Sequence, residues 1–207
     1  MVTFIIVRHG NSVANKGNFF AGQADVPLND TGYKQAQEVS KYILENFKVD
    51  KVYSSDLSRT YETVKPVADA LGMVVNKRKD LREVDVGLWA NKSYDEVEKE
   101  FPESFKRYMT NAGCSKFDGG ESYKESAYRG KKAMDIIASE NEGKTVVVGT
   151  HGGIIKGLRA LWGNIPFDKL KDIPHVNNAS VTVAEYYNGK VNLKAVGLNE
   201  HLTEKTI

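Results

Sequence analysis

Two histidines and two arginines in this chain stand at or just beyond the ends of apolar runs. Arg8-His9-Gly10 closes "FIIVRHG", His151-Gly152-Gly153 closes "TVVVGTHGG", and Arg59 follows "KVYSS" within "DLSRT". Charged groups at the end of a strand must be solvated, paired or put to use. The planar fork of arginine matches phosphate oxygens. A neutral imidazole can attack phosphorus and carry the phosphoryl group, splitting one hard displacement into two easier ones. Arginines and a second histidine around that group stabilise charge on its equatorial oxygens without a metal. A lone Arg-His-Gly is weak evidence, since a histidine at a strand end is more often structural. Three such junctions in one chain make a far more specific pattern.

A leaving alkoxide also needs a proton. "DLREVDVGLW" offers Asp80, Glu83 and Asp85, and the residues alone do not choose among them. Nothing suggests a metal: there is no H-E-x-x-H, no cysteine-ligand spacing and no acidic cluster of metal-site character. Neither G-x-x-x-x-G-K-[ST] nor G-x-G-x-x-G follows a strand, so a nucleotide-binding reading fails. No cofactor is expected.

These residues must be positioned by an alternating set of elements. "TFIIV" and "TVVVGT" are short β-branched runs of the kind buried on both faces of a sheet, and "VDKVYSS" (49–55) and "GMVVNK" (72–77) are weaker ones. "NASVTVAEYYNGKVNLKAVG" reads as a hairpin turning at Asn188-Gly189. Helical spacing places Ala36, Val39, Ile43 and Phe47 on one face of 31–47, capped by Asp30 or Thr31. A second helix covers 57–71, capped by Asp56 or Ser58, with Pro66 able to bend it, and 122–140 and 153–162 are helical too. The order predicts an α/β fold: a three-layer α/β/α sandwich with a mostly parallel sheet, one antiparallel edge strand and a helical lid insert. Ligands of open parallel sheets bind at the carboxyl ends of the strands. Helix N-termini there favour anions, and the glycines after each histidine let a phosphate approach the backbone.

The chain of 207 residues is read as a single domain over 1–207, with residues 84–121 forming the insert. That segment is rich in Lys, Glu, Tyr and Phe and breaks the rhythm of the rest, as lids commonly do. Hydrophobic residues are 41% and charged residues 27% of the chain, an ordinary globular profile. A formal net charge of only +2 gives no reason to expect nucleic acid or a membrane as partner. The partner expected is a small phosphomonoester; oligomeric state is not legible. The lone Cys114 excludes an intramolecular disulfide and reads as a bystander thiol. "VTFIIV" is too short for a signal-peptide core or a membrane span, so a cytoplasmic protein is expected. The N-x-S/T matches at Asn29, Asn91 and Asn178 are then chance.

The ordered series "VRHGNSVAN", "LNDTGYKQA", "VYSSDLSRTYET", "LREVDVGLW", "GGES", "VVGTHGGIIKGL" and "NNASVTVAEY" resembles the histidine phosphatase superfamily, the phosphoglycerate mutase-like clan, over nearly the whole chain. The resemblance implies His9 as the phosphorylated nucleophile, with Arg8, Arg59 and His151 forming its phosphate pocket. It also selects Glu83 as the proton donor that later activates water. Asn15, Ala21-Gly22 and Gly152 match positions lining the pocket. Asn11 replaces the family's usual Glu or Gln, and Lys156 stands where arginine is common; neither departure touches the catalytic set.

The same core serves two reactions. In the mutase pattern an arginine directly follows the acid glutamate and a paired-arginine motif comes later. Here Glu83 precedes Val84-Asp85-Val86, no Arg-Arg pair occurs, and the insert offers only Arg107-Tyr108 and a few lysines. "REVDVGLW" resembles the phosphatase branch, with its broad-specificity, sugar-phosphate and α-ribazole phosphatases. The expectation is therefore a metal-independent phosphomonoester hydrolase, with a cofactor-dependent mutase as the alternative enzyme. A non-catalytic phosphate-binding module is the alternative of another class, disfavoured because nucleophile and acid are both present. His201, in "GLNEHL", reads as structural.

Overall fold

A computed structural model describes all residues 1–207. Its sheet contains β1 (Val2–Arg8), β2 (Lys51–Ser55), β3 (Val75–Arg78), β4 (Thr145–Thr150), β5 (Val181–Tyr187) and β6 (Lys190–Leu198). The spatial order is β3-β2-β4-β1-β5-β6. β3, β2, β4 and β1 pair in parallel, whereas β5 is antiparallel to both β1 and β6. The antiparallel pairing thus lies at the predicted edge. The reversed strand is β5, second from the edge, and β6 outside it runs with the others.

The helices are α1 (Val13–Gly17), α2 (Asp30–Asn46), α3 (Ser58–Ala70), α4 (Tyr94–Glu100), α5 (Pro102–Asn111), α6 (Tyr123–Glu140) and α7 (Gly152–Trp162). Alternation along β1 divides the core into two layers. Phe4 and Ile6 pack with Met134 and Ile137 of α6 and Ile154 and Leu158 of α7. Ile5 and Val7 pack with Val39 and Ile43 of α2 and Val64 and Val67 of α3. Burial on both faces is why β1 and β4 carry nearly continuous apolar runs, Phe4–Val7 and Val146–Val148.

Local chemistry moves several boundaries. The cap of α2 is Asn29, whose side chain accepts the Gly32 N–H at 2.9 Å, and not Asp30 or Thr31. No side chain caps α3: Leu57 holds that position, Asp56 is committed to Arg82, and the Ser58 N–H donates to Asp25. Pro66 lies inside α3, which continues to Ala70. β1 leads only into the five-residue α1, so just two of the three junctions open directly into long helices. The hairpin turns at Asn188 and Gly189 with φ of 49° and 76°, the left-handed pair that a two-residue turn requires.

The insert folds as α4, α5 and intervening loops around a small core of its own. Trp89 is fully buried there between Phe105 and Phe117, its ring edge-on to Phe117 at 5.0 Å. Phe20 joins this cluster from outside the insert, strapped to it by backbone bonds to Asn91 and Lys92. Trp89→Ala should therefore cost about 3–5 kcal/mol in urea unfolding. A loss under about 1 kcal/mol would show that this cluster is not packed as described.

Candidate active site

β2, β4 and β1 are neighbours, so their carboxyl ends bring the three basic junctions together. Arg8 is the last residue of β1, His9 follows it, Arg59 lies in the first turn of α3, and His151 directly precedes α7. All four are buried, at 6%, 5%, 1% and 0% exposure. Arg8, His9, Arg59 and Glu83 line one cleft of about 320 Å³, with Asn15, Ala21 and Gly22.

Carbonyl oxygens hold the guanidinium groups. Arg8 Nη1 donates to the Val176 carbonyl at 2.5 Å, while its Nε has no partner. Arg59 donates to the carbonyls of Ala24 and Gly22, each at 2.8 Å. Burial pulls both arginines down to about 10, against the nearby charge of Glu83, and Arg59 lowers Arg8 further. Each keeps its charge at neutral pH. Burial, then the positive field of Arg59, holds His9 and His151 well below the usual imidazole range.

The tautomer of His9 follows from its partner. Nδ1 lies 2.7 Å from the Gly10 carbonyl, which can only accept, so Nδ1 bears the proton and Nε2 the lone pair. The His9 and His151 rings are 5.2 Å apart between centroids. His151 Nε2 faces the hydroxyls of Ser55 at 2.9 Å and Thr60 at 3.1 Å, and its buried Nδ1 has no partner.

Geometry separates the three acids. Asp80 is paired with Arg78, Asp85 accepts the Gly87 N–H, and only Glu83 lines the cleft. Its carboxylate accepts the Gly153 N–H at 3.0 Å and the Val84 N–H at 2.9 Å, which anchors it on the N-terminus of α7. Arg129, on α6, fixes the loop behind it. Its guanidinium is salt-bridged to Glu121 and donates to the carbonyls of Asp80, Arg82 and Glu83. Gln23 adds a bond to the Glu83 carbonyl at 3.1 Å.

The glycines have packing reasons of their own. A Cβ on Gly10 would meet the Gly32 carbonyl oxygen at 2.7 Å, so its smallness serves packing against the start of α2. A Cβ on Gly153 would run into the Glu83 carboxylate, and one on Gly152 would lie 3.2 Å from Arg8 Nε. They make room for the side chains of Arg8 and Glu83, and the Glu83 carboxyl group occupies the first turn of α7.

The remaining residues sort as follows. Asn15 caps α1 through Ser12 while lining the cleft. Asn11 is buried and bonds Asn29 and Asn178, outside the cleft lining. His201 stacks on Tyr42 and bonds the Ala179 carbonyl, a structural role. Cys114 is exposed and unpaired. Sequence reasoning missed Arg129, Thr63, which accepts the Gly10 N–H, Asn178, which holds the His9 carbonyl, and His175, which lines the cleft. Asn178, within "NNASVTV", and Thr63, at the end of "VYSSDLSRTYET", carried a signal; Arg129 and His175 come from stretches with no local motif. No cluster of histidine, cysteine and carboxylate side chains is arranged to hold a metal ion.

The chain is 33% identical over 205 residues to "Phosphoglycerate mutase-like protein 4" of Arabidopsis thaliana, covering 97% of this chain and 86% of that one. It is 34% identical over 151 residues to "Phosphoserine phosphatase 1" of Hydrogenobacter thermophilus, covering 73% and 71%. The solved structure of Bacillus stearothermophilus YhfR superposes with a TM-score of 0.92 at 27% identity, covering 98% of this chain and 100% of that one. The family model of the histidine phosphatase superfamily (branch 1) matches residues 4–199, and the chain belongs to that superfamily.

Proposed function

We propose that this protein is a metal-independent phosphomonoesterase working through a phosphohistidine on His9. The observation that carries the reading is the unprotonated Nε2 of His9, held by the Gly10 carbonyl in a cleft shared with Arg8, Arg59 and Glu83. Superfamily membership and the phosphatase names among the relatives support the same reaction class.

In the first step His9 Nε2 attacks phosphorus and the P–O bond to the leaving group breaks. Glu83, carrying its proton, gives it to the departing alkoxide. In the second step Glu83 takes a proton from water, the water attacks phosphorus, the N–P bond breaks and inorganic phosphate leaves. Arg8 and Arg59 balance the charge of the phosphoryl oxygens throughout, and His151, whose buried Nδ1 has no partner within the protein, serves the same task. Asn15 and Gly22 line this pocket, and Gly152 packs against Arg8.

Residues 84–121 act as the specificity insert. They bring Tyr94, Tyr108 and Phe117 to the cleft, and no arginine or lysine. Arg107 lies in a separate surface groove with Glu103 and Lys106. A mutase must hold a doubly phosphorylated intermediate away from water, and the insert supplies no cation for it. Hydrolysis is therefore favoured over isomerisation. No helix is long and apolar enough to cross a membrane. We assign the enzyme a small-molecule phosphomonoester substrate and, from the sequence reading, a cytoplasmic location.

The test is hydrolysis of p-nitrophenyl phosphate between about pH 5 and 8, with and without chelator. Attack needs neutral His9, which burial and Arg59 keep deprotonated until well below its ordinary value of 6.5. The acid limb of kcat/KM assigned to His9 should accordingly fall well below that value, chelator should change nothing, and His9→Ala should abolish turnover in a folded protein. Near-normal activity in His9→Ala, or a large loss with chelator, would sink the mechanism.

Arg129 makes a second prediction. Arg129→Met removes its bonds to three carbonyls behind Glu83 and should lower kcat by roughly 10- to 100-fold through misplacement of the acid. Affinity for vanadate, held by the phosphate pocket, should change less than about threefold if Arg129 acts through Glu83. An unchanged kcat would remove Arg129 from the account.

A further inference from the structure

The "LNDTGYKQA" segment opens α2 and contributes no residue to the lining of the cleft. Its glycine is nevertheless pressed against the backbone that follows His9. A Cβ on Gly32 would run into the Asn11 carbonyl oxygen, as one on Gly10 would meet the carbonyl oxygen of Gly32. Gln35 lies three residues beyond Gly32, on the same face of the helix, and so comes close to the same stretch. Its side chain is buried at 1% exposure, with both polar atoms engaged. Oε1 accepts the Asn11 N–H at 2.8 Å, and Nε2 donates to the Glu204 carbonyl at 2.9 Å and the Thr206 hydroxyl at 3.0 Å. Exchanging oxygen and nitrogen would set an amino group against the Asn11 N–H, donor against donor, so the orientation of the carboxamide is fixed.

The Asn11 N–H belongs to the same peptide unit as the Gly10 carbonyl. That unit is planar and trans, so its N–H and C=O point in opposite directions, and holding one aims the other. The Gly10 carbonyl takes the Nδ1 proton of His9 at 2.7 Å, which leaves Nε2 its lone pair. A half-turn of this peptide would present the Asn11 N–H to Nδ1, send the ring's proton to Nε2 and remove the lone pair. The chain itself resists such a turn poorly: a glycine precedes the peptide, and an asparagine, which tolerates left-handed backbone, follows it. Asn178 Nδ2 reaches the Gly10 carbonyl only at 3.5 Å. Its shorter bond, like that of Thr63, secures the preceding peptide, through the His9 carbonyl and the Gly10 N–H.

The geometry points to Gln35 as a positioning residue: by holding the Asn11 N–H it aims the Gly10 carbonyl, and through that carbonyl it fixes the ring and the tautomer of His9. Thr206 stands behind it. The Thr206 hydroxyl accepts from Gln35 and donates to Asn178 Oδ1 at 3.1 Å, closing a network around the backbone of residues 9–11. Gln35 lies outside the cleft lining and acts only through this peptide. Its effect on rate rests on the phosphomonoesterase reading; its effect on the tautomer does not.

Labelling the four histidines with ¹⁵N and comparing the spectrum with that of His9→Ala isolates the His9 ring signals. At about pH 7.5 the ring is neutral, because burial and Arg59 hold it well below its ordinary value. The wild type should carry its proton on Nδ1. Gln35→Met, similar in volume but without the acceptor, should give a mixture with a substantial Nε2–H form. Its kcat per folded enzyme should fall by roughly 10- to 100-fold. Inhibition by inorganic phosphate should change less than about threefold, since Arg8 and Arg59 are untouched. Thr206→Val keeps the acceptor but loosens it, and should move both readouts the same way, with kcat down about two- to fivefold. It carries the comparison if Gln35→Met does not fold. A glutamine that merely stabilises the fold would lower the urea midpoint and leave the tautomer in place. A proton on Nε2 of the wild type, or an unmoved tautomer in both variants, would overturn the role of Gln35. Unchanged kcat in both variants of a hydrolysing enzyme would reject that role and keep the phosphatase. A tautomer that moves in a protein hydrolysing no phosphomonoester would keep the positioning of His9 and reject the phosphatase.

Discussion

Holding two guanidinium groups and two imidazoles inside one buried pocket is the constraint on which the rest of this structure depends. Like charges brought out of water repel, and each pays a desolvation cost. The fold meets this by two means. Backbone carbonyls of Gly22, Ala24 and Val176 take up guanidinium N–H groups, and the imidazoles are kept neutral by burial and by the arginines themselves. Glu83 is the one carboxylate lining the cleft, and it is tied to the first turn of α7. A pocket so built is unbalanced until a dianion enters, which is the property a phosphoryl-transfer site needs.

That requirement accounts for features far from the chemistry. The order β2-β4-β1 puts three strand ends side by side, so Arg59, His151 and Arg8-His9 converge without long loops. Gly153 must lack a side chain because Glu83 occupies that space. Arg129 and Gln23 hold the Glu83 carbonyl, so Glu83 is clamped through its carboxyl group and its carbonyl alike. Asn178 bridges the His9 carbonyl to Asn11, making "NNAS" part of the support of His9.

Much of this was legible in the sequence, and for identifiable reasons. β1 and β4 are buried on both faces and so read as unbroken β-branched runs, and the Asn188-Gly189 turn states its own geometry. The residues Arg8, His9, Arg59 and His151 were findable because they stand against those runs. One helix cap was misread because Asp56 is taken by Arg82, the other because Asn29, one residue earlier, accepts the Gly32 N–H. The glycines after the histidines suggested room for phosphate, but whether a missing Cβ makes space for a ligand or for Gly32 and Glu83 is a tertiary fact. Arg129 and His175 were invisible for the same reason. One is a cation among several on an amphipathic helix, the other a loop histidine, and only packing turns them towards the site.

The central claim is a covalent bond between phosphorus and His9 Nε2. Mixing enzyme with ³²P-labelled substrate, quenching in alkali within one turnover and mapping the label by mass spectrometry tests it most directly. An alkali-stable, acid-labile phosphoryl group on the peptide carrying His9, formed and lost at rates compatible with kcat, is the predicted result. Single-turnover hydrolysis with no enzyme-bound phosphoryl group at any time point, or a label on His151 or His175 instead, would contradict the account.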